Sequence, residues 1–196
     1  MSILDLGTKI KASIAGIVVF CVIMAMFGPV YTVDAGERAV LLTWGEVSSG
    51  SLGPGLHFKL PFAQSVAVFN VQTQKYEASA SAASKDLQVV DSNIAVIYHL
   101  SPESIPTIYA DLGYGYGDKI IQPQVQEVLK AVTAKFSADQ LITNRSAVAS
   151  QVQTMLKDRL MTYGIFVEST AITNFNFSKS FNDAIEAKVT AQQQKQ

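Results

Sequence analysis

The stretch ASIAGIVVFCVIMAMFGPVYTV, residues 12–33, contains no charged side chain. As one helix at 1.5 Å per residue it makes a rod of roughly 33 Å, matching a bilayer hydrocarbon core of about 30 Å. It reads as a single uncleaved transmembrane anchor carried by Ile14, Ile17, Val18, Phe20, Ile23 and Phe27. Pro29 falls in its last third, where Gly28-Pro29 would kink or fray the helix, and Tyr31 lies at the level of an interfacial aromatic anchor. A helix buried in a soluble core rarely runs this far without a polar face. A cleaved signal peptide needs a shorter apolar run and a small-x-small site, which Ala25-Met26-Phe27 does not supply. Lys9 and Lys11 precede the span, and Asp34 and Glu37 follow it. The short N-terminus is therefore expected on the cytosolic (or matrix) side, and the bulk of the chain on the periplasmic (or intermembrane-space) side.

The rest of the 196-residue chain suffices for one sizeable domain or two small ones. Fifteen basic and 16 acidic residues nearly cancel, and no basic run follows the anchor, so nucleic acid is not an expected partner. Cys21 is the only cysteine and lies within the anchor, which excludes an internal disulfide and a thiolate metal site.

Downstream, the first half reads as β-rich. Glu37–Trp44 is apolar on both faces, Gly45–Gly55 is glycine- and serine-rich turn and loop, and Gln64–Tyr76 alternates as a second strand. Ser79–Ser84 reads as a small-residue link. Leu87–Leu100 gives the clearest strand, with Ile94, Val96, Tyr98 and Leu100 on one face and Ala95, Ile97 and His99 on the other. The second half turns helical. Ser101 reads as the N-cap of a short helix with Pro102 first, and Gly113–Gly117 (GYGYG) as an inter-helix turn exposing Tyr114 and Tyr116. Lys119–Phe136 has apolar residues at helical spacing, Ser137 and Gln140 form a capping-box pattern, and Arg145–Tyr163 reads as a helix capped by Gly164. Ile165–Phe177 is β-branched and aromatic, a strand, and Ser180–Gln196 is helix-prone and increasingly polar. The expected division is 1–11 (N-terminal segment), 12–33 (anchor), 34–100 (membrane-proximal β-rich part), 101–178 (α/β part) and 179–196 (start of a C-terminal helix).

The segments GERAVLLTWGEVSSGSLGPGLHFKLPF, SKDLQVVDSNIAVIYHL, LKAVTAKFSADQLITNRSAVASQVQTML and FNDAIEAKVTAQQQ, in this order, resemble prohibitins of the stomatin/prohibitin/flotillin (SPFH, band 7) superfamily. The resemblance implies an α+β fold: an N-terminal transmembrane helix, a two-part band 7 domain, and a C-terminal coiled-coil helix of which only the start is expected before Gln196. It also implies many copies, homo- or hetero-oligomeric, gathered in a ring or cage on the lipid bilayer, and association with a membrane AAA protease of the FtsH type. Leu56, Phe58, Leu60 and Phe62 in Leu52–Phe62 are expected either to dip into the headgroup region or to pack on the domain's own sheet. Phe181, Ile185 and Val189 are expected to serve oligomer contacts. A monomeric membrane-anchored receptor, and a shortened member that modulates rings of longer partners, are the alternatives.

Catalysis finds no foothold in the pattern. His57 has no carboxylate near it in sequence, and His99 alternates with apolar residues on a strand. No GxSxG, HExxH or P-loop spacing occurs, and GYGYG follows a helix rather than a strand, the wrong context for a phosphate cradle. No cofactor and no metal are expected.

Overall fold

A computed structural model describes residues 3–26 and 28–177. Phe27 of the expected anchor, and the expected C-terminal helix with Phe181, Ile185 and Val189, lie outside the described residues. The chain divides into two compact units at Asn70/Val71.

The first unit begins with α1 (Ile3–Met26). The expected rod to Val33 is corrected here: the helix stops at Met26, and Val30–Val33 is a strand, β1. Gly28, with φ 55°, and Pro29 end the helix rather than kink it. An uncharged run serves a helix or a doubly apolar strand equally well, so its length alone misplaced the boundary. β1 pairs antiparallel with β4 (Gly55–Phe58), Val30 opposite Phe58 and Val33 opposite Gly55. A separate antiparallel sheet has the order β3–β2–β5, from β2 (Glu37–Thr43), β3 (Glu46–Leu52) and β5 (Gln64–Asn70). The loop expected over Gly45–Gly55 is thus mostly an edge strand, whose serines and glycine hide the alternation a buried strand would show. Val33, Ala39, Val40, Ala67 and Phe69 are buried in this unit.

The second unit is a three-stranded antiparallel sheet, β6 (Gln74–Ala83), β7 (Val89–Leu100) and β8 (Ile165–Phe177), in that order. Ser79–Ser84 is therefore not a link. Ala80 and Ala82 point into the core and Ser79, Ser81 and Ala83 out, within a strand in register with β7. β6 and β7 belong to this sheet, so the division falls near 70 and not at 100.

The helices α2 (Ile105–Leu112), α3 (Gln122–Thr133), α4 (Ala138–Thr143) and α5 (Arg145–Met161) complete the unit. Ser101 takes the expected N-cap position with Pro102 first, but of a 3-10 turn over Pro102–Ser104 that precedes α2, and its hydroxyl donates to Glu103 at 2.9 Å instead of capping the backbone. A π-helical turn, Gly117–Ile121, precedes α3, where Tyr76 packs so close that a Cβ on Gly117 would meet its ring at 2.8 Å. The Ser137–Gln140 capping box is present. The expected inner face of β7 is buried, against Val125, Val128, Leu129 and Val132 of α3 and Val148, Val152, Leu156 and Leu160 of α5 among the fully buried residues.

The outer strands are covered by side chains from these helices. On β6, the Gln122 amide donates to the Ser79 carbonyl at 2.9 Å and the Thr133 hydroxyl to that of Ala83 at 3.0 Å. On β8, the Arg145 guanidinium donates to the carbonyls of Ile172 and Thr173, and the Gln153 amide to that of Glu168 at 3.1 Å.

Candidate functional site

In β4 and the turn after it, alternate residues of the sequence GLHFKLPF diverge. His57 turns inward, its ring 5.6 Å from that of Tyr31 and its Nε2 2.7 Å from the Gly53 carbonyl. Burial leaves the Tyr31 hydroxyl without a hydrogen-bond partner and pushes its pKa up. Leu56 and Phe58 turn the other way, on the same face as Val30, which pairs with Phe58. Leu60 and Phe62 follow in the turn. All four are 60 to 73% exposed. The turn is ordered: Lys59 N–H bonds the Pro29 carbonyl at 2.8 Å, and the Gln64 side chain accepts from Leu60 N–H at 2.8 Å.

Trp44 joins this end, a residue that sequence reasoning placed inside a strand. Thr43 pairs with Glu46, so Trp44-Gly45 is a two-residue hairpin loop, and its φ values of 54° and 89° are those of a I′ turn. Asparagine and glycine usually hold such positions, because a bulky residue at positive φ is strained. Here the strained position presents an indole that is 80% exposed. The Trp44 N–H donates to the Ala63 carbonyl at 2.9 Å, which ties the hairpin tip to the Leu60–Phe62 turn. The pattern Thr-Trp-Gly-Glu between two strands was the signal for it. The result is one apolar end built from two turns, with Lys59 beside it.

α1 enters this unit from the N-terminal side. Its described side chains, from Lys11 to Ile23, are all exposed, including Ile14, Ile17, Val18, Phe20 and Ile23. Among the described residues no helix is long and apolar enough to cross a membrane. The uncharged part of α1, Ala12–Met26, is about 22 Å long at 1.5 Å per residue.

The candidates for chemistry belong to different units. His57 lies in the first unit. In the second, His99 lies on the sheet face away from α3 and α5, its ring stacked 5.5 Å from Phe166 and its Nδ1 3.0 Å from Glu168. Glu168 also accepts from the Thr73 hydroxyl at 2.8 Å, and that bond, then His99, holds its carboxyl below the usual range. Of the GYGYG tyrosines only Tyr114 is exposed; Tyr116 is buried, with its hydroxyl 3.1 Å from that of Tyr98. Among the described residues no three His, Cys, Asp or Glu side chains converge on a point where a metal could sit.

Residues 31–196 match the family model for the SPFH domain / Band 7 family. The chain is similar to prohibitin-2 of Mus musculus, 34% identical over 194 residues that make up 97% of this chain and 64% of that protein. It is 36% identical to "Prohibitin-4, mitochondrial" of Arabidopsis thaliana over 87% of this chain and 61% of that protein. "Mitochondrial prohibitin complex protein 1" of Caenorhabditis elegans is 34% identical over 84% of this chain and 60% of that protein. The chain thus spans 60 to 64% of the length of these relatives.

Proposed function

Since the chain belongs to the SPFH domain / Band 7 family, we propose that it is a membrane-seated, self-assembling scaffold of prohibitin type and not an enzyme. One observation carries the membrane part: the first unit holds Trp44, Leu56, Phe58, Leu60 and Phe62 out of its own core on strand β4 and two ordered turns. Fully transferring one such side chain from water to an apolar phase is worth about 1.5–3 kcal/mol. A monomer in water forgoes that gain five times at one end, and a lipid interface restores it. Tryptophan over lysine, here Trp44 with Lys59, is the composition that interfaces select.

The anchor reading is adapted to the shorter helix. About 22 Å of uncharged helix falls short of a 30 Å core, so Lys9 and Lys11 would reach outward with their long stems to the headgroups on one side. On the other side the β1–β4 ribbon starts at Val30, four positions after Met26, and its Val30, Leu56 and Phe58 would continue the apolar surface into the interface. Lysines before the helix and carboxylates after it favour the N-terminus on the cytosolic or matrix side.

Tethering every copy in one plane raises their effective concentration for lateral contact, which favours rings or cages. The name of the nematode relative contains the word "complex", in keeping with assembly. A membrane AAA protease of the FtsH type is the partner such an enclosure would confine or regulate. Trp44 is the only tryptophan in the chain, so intrinsic fluorescence tests the seating directly. In vesicles its emission should shift to the blue and be quenched by lipids brominated near the headgroup. Water-like emission without quenching would refute membrane seating by this end, and a detergent-extracted particle of one copy would refute the scaffold.

A further inference from the structure

A second exposed apolar feature lies in the other unit. Leu87, in the turn between β6 and β7, is 83% exposed and has φ 61°. That is left-handed backbone, where glycine or asparagine costs least and leucine is strained. The turn is over-determined by its surroundings. Ser84 is buried, its hydroxyl donates to Asp86 at 2.6 Å, and it accepts the Gln88 N–H at 3.0 Å. Lys85 N–H donates to the Phe136 carbonyl at 2.8 Å, and Asp86 accepts the N–H of Ala138, the first residue of α4, at 3.0 Å. Strain held this firmly is a mark of a presented side chain rather than of a slack loop. Val89, 55% exposed, extends the tip. The exposed lysines Lys85, Lys130 and Lys135 lie around it; of the nearby carboxylates Asp86 is engaged within the turn and Asp139 is exposed on α4.

At the other end of the same sheet, where β7 ends and β8 begins, a cleft of about 480 Å³ opens beside α2. It is lined by Ser104, Thr107, Ile108, Asp111, Leu112 and Tyr163. Gly164 shapes this corner: its φ is 73°, and a Cβ there would lie 2.2 Å from that of Ser104. The cleft combines apolar walls with one carboxylate, and Lys119 is fixed nearby on the Leu112 carbonyl at 2.7 Å. Twelve residues of β7 separate the two features, roughly 40 Å at 3.3 Å per residue.

We propose that the tip and the cleft are the two halves of one contact between copies of this chain: the Leu87–Val89 tip of one copy seats against Thr107, Leu112 and Tyr163 of the next. The lysines around the tip then face Asp111 at the cleft. Because the halves are different surfaces at opposite ends of one unit, the contact is head-to-tail and leads to rings or filaments instead of stopping at a dimer. This rests on the scaffold reading above and gives it a surface.

The test uses the full chain in detergent, with particle mass as the readout, and two variants that spare folding. Leu87→Gly removes the tip and relieves the positive φ; Thr107→Trp fills the cleft from an exposed position. The unaltered chain should form multi-copy particles, and each variant should need at least about tenfold more protein to assemble, the loss expected when a central apolar anchor is removed. Thermal unfolding should be unchanged or, for Leu87→Gly, shifted upward. An equal mixture of the two variants should form two-copy particles, because each such pair keeps one intact tip and one open cleft. Variants that assemble like the unaltered chain overturn the contact but leave the scaffold reading standing. A mixture that stays as single copies overturns the head-to-tail pairing, whereas an unaltered chain that never assembles removes the scaffold reading itself.

Discussion

The two units dispose of their apolar residues in opposite ways. The second unit puts them inside: Ile94, Val96, Leu100, Leu129, Leu156 and Leu160 are at most 1% exposed, and helices cover its strands. Among its described residues the first unit buries four small or medium side chains, Val33, Ala39, Val40 and Ala67, and one aromatic ring, Phe69, while Trp44, Phe20, Phe58 and Phe62 stand at the surface. Burial of apolar area is the main favourable term in folding, so the second unit carries the larger core, while the first leaves most of its large apolar side chains at its surface. The contrast teaches that exposure here is a property of position and not of composition: Phe58 and Phe69 are the same residue type, 11 positions apart.

The sharpest way to break this contrast is to treat both sets alike. Leu156→Ala in α5 should destabilise the second unit by about 2–5 kcal/mol in denaturant unfolding, the cost of removing a fully buried leucine. Phe58→Ser with Phe62→Ser should change stability by no more than about 0.5 kcal/mol per site, as surface substitutions do. If the serine pair unfolds the first unit as strongly as Leu156→Ala unfolds the second, the apolar end is core. In vesicles the same pair should weaken seating by about 1.5–3 kcal/mol per ring, seen as a red shift of Trp44 emission and loss of lipid quenching. Ser137→Ala should cost the second unit about 1 kcal/mol through the lost capping box, and nothing in the first.

The smallest effect concerns pH. Asp86 and Glu168 both lie in the second unit and are held below the ordinary carboxylate range, Asp86 first by the Ser84 hydroxyl and Glu168 first by that of Thr73. A depressed folded pKa adds stability that is fully present above the unfolded value, about 4, and is lost as pH falls through the folded one. The unfolding midpoint of the second unit should therefore decline below about pH 4, and less steeply in Asp86→Asn. An equal decline in that variant would assign the acid sensitivity to other groups.

Where periodicity was strong, the sequence was legible. Ile165–Phe177 is a strand from end to end, the inner face of β7 was read residue by residue, and α5 with its buried Val148, Val152, Leu156 and Leu160 follows its helical spacing. What escaped was set by distant partners. β1 is a strand because Gly55–Phe58 pairs with it, 22 or more residues later, and nothing within Val30–Val33 says so. The unit boundary escaped for the same reason, since β6 and β7 are completed by β8 from far downstream. Of the apolar end, Leu56, Phe58, Leu60 and Phe62 were legible as a group. Trp44 was not, because alternation placed it in a strand and only the I′ turn turns it outward. Tyr116 was misplaced because glycine on both sides suggests an exposed loop, while its ring fills the space beside Tyr98.

The side-chain amides, hydroxyl and guanidinium that cover β6 and β8 have a bearing on the crowding that the proposed scaffold implies. A bare strand margin invites any other strand to zip onto it, with little regard for sequence. Gln122, Thr133, Arg145 and Gln153 occupy the carbonyls through which such zippering would begin. In the assembly proposed above, copies standing shoulder to shoulder would then be kept from fusing into fibres, and their order would be chosen by the shapes of their side chains.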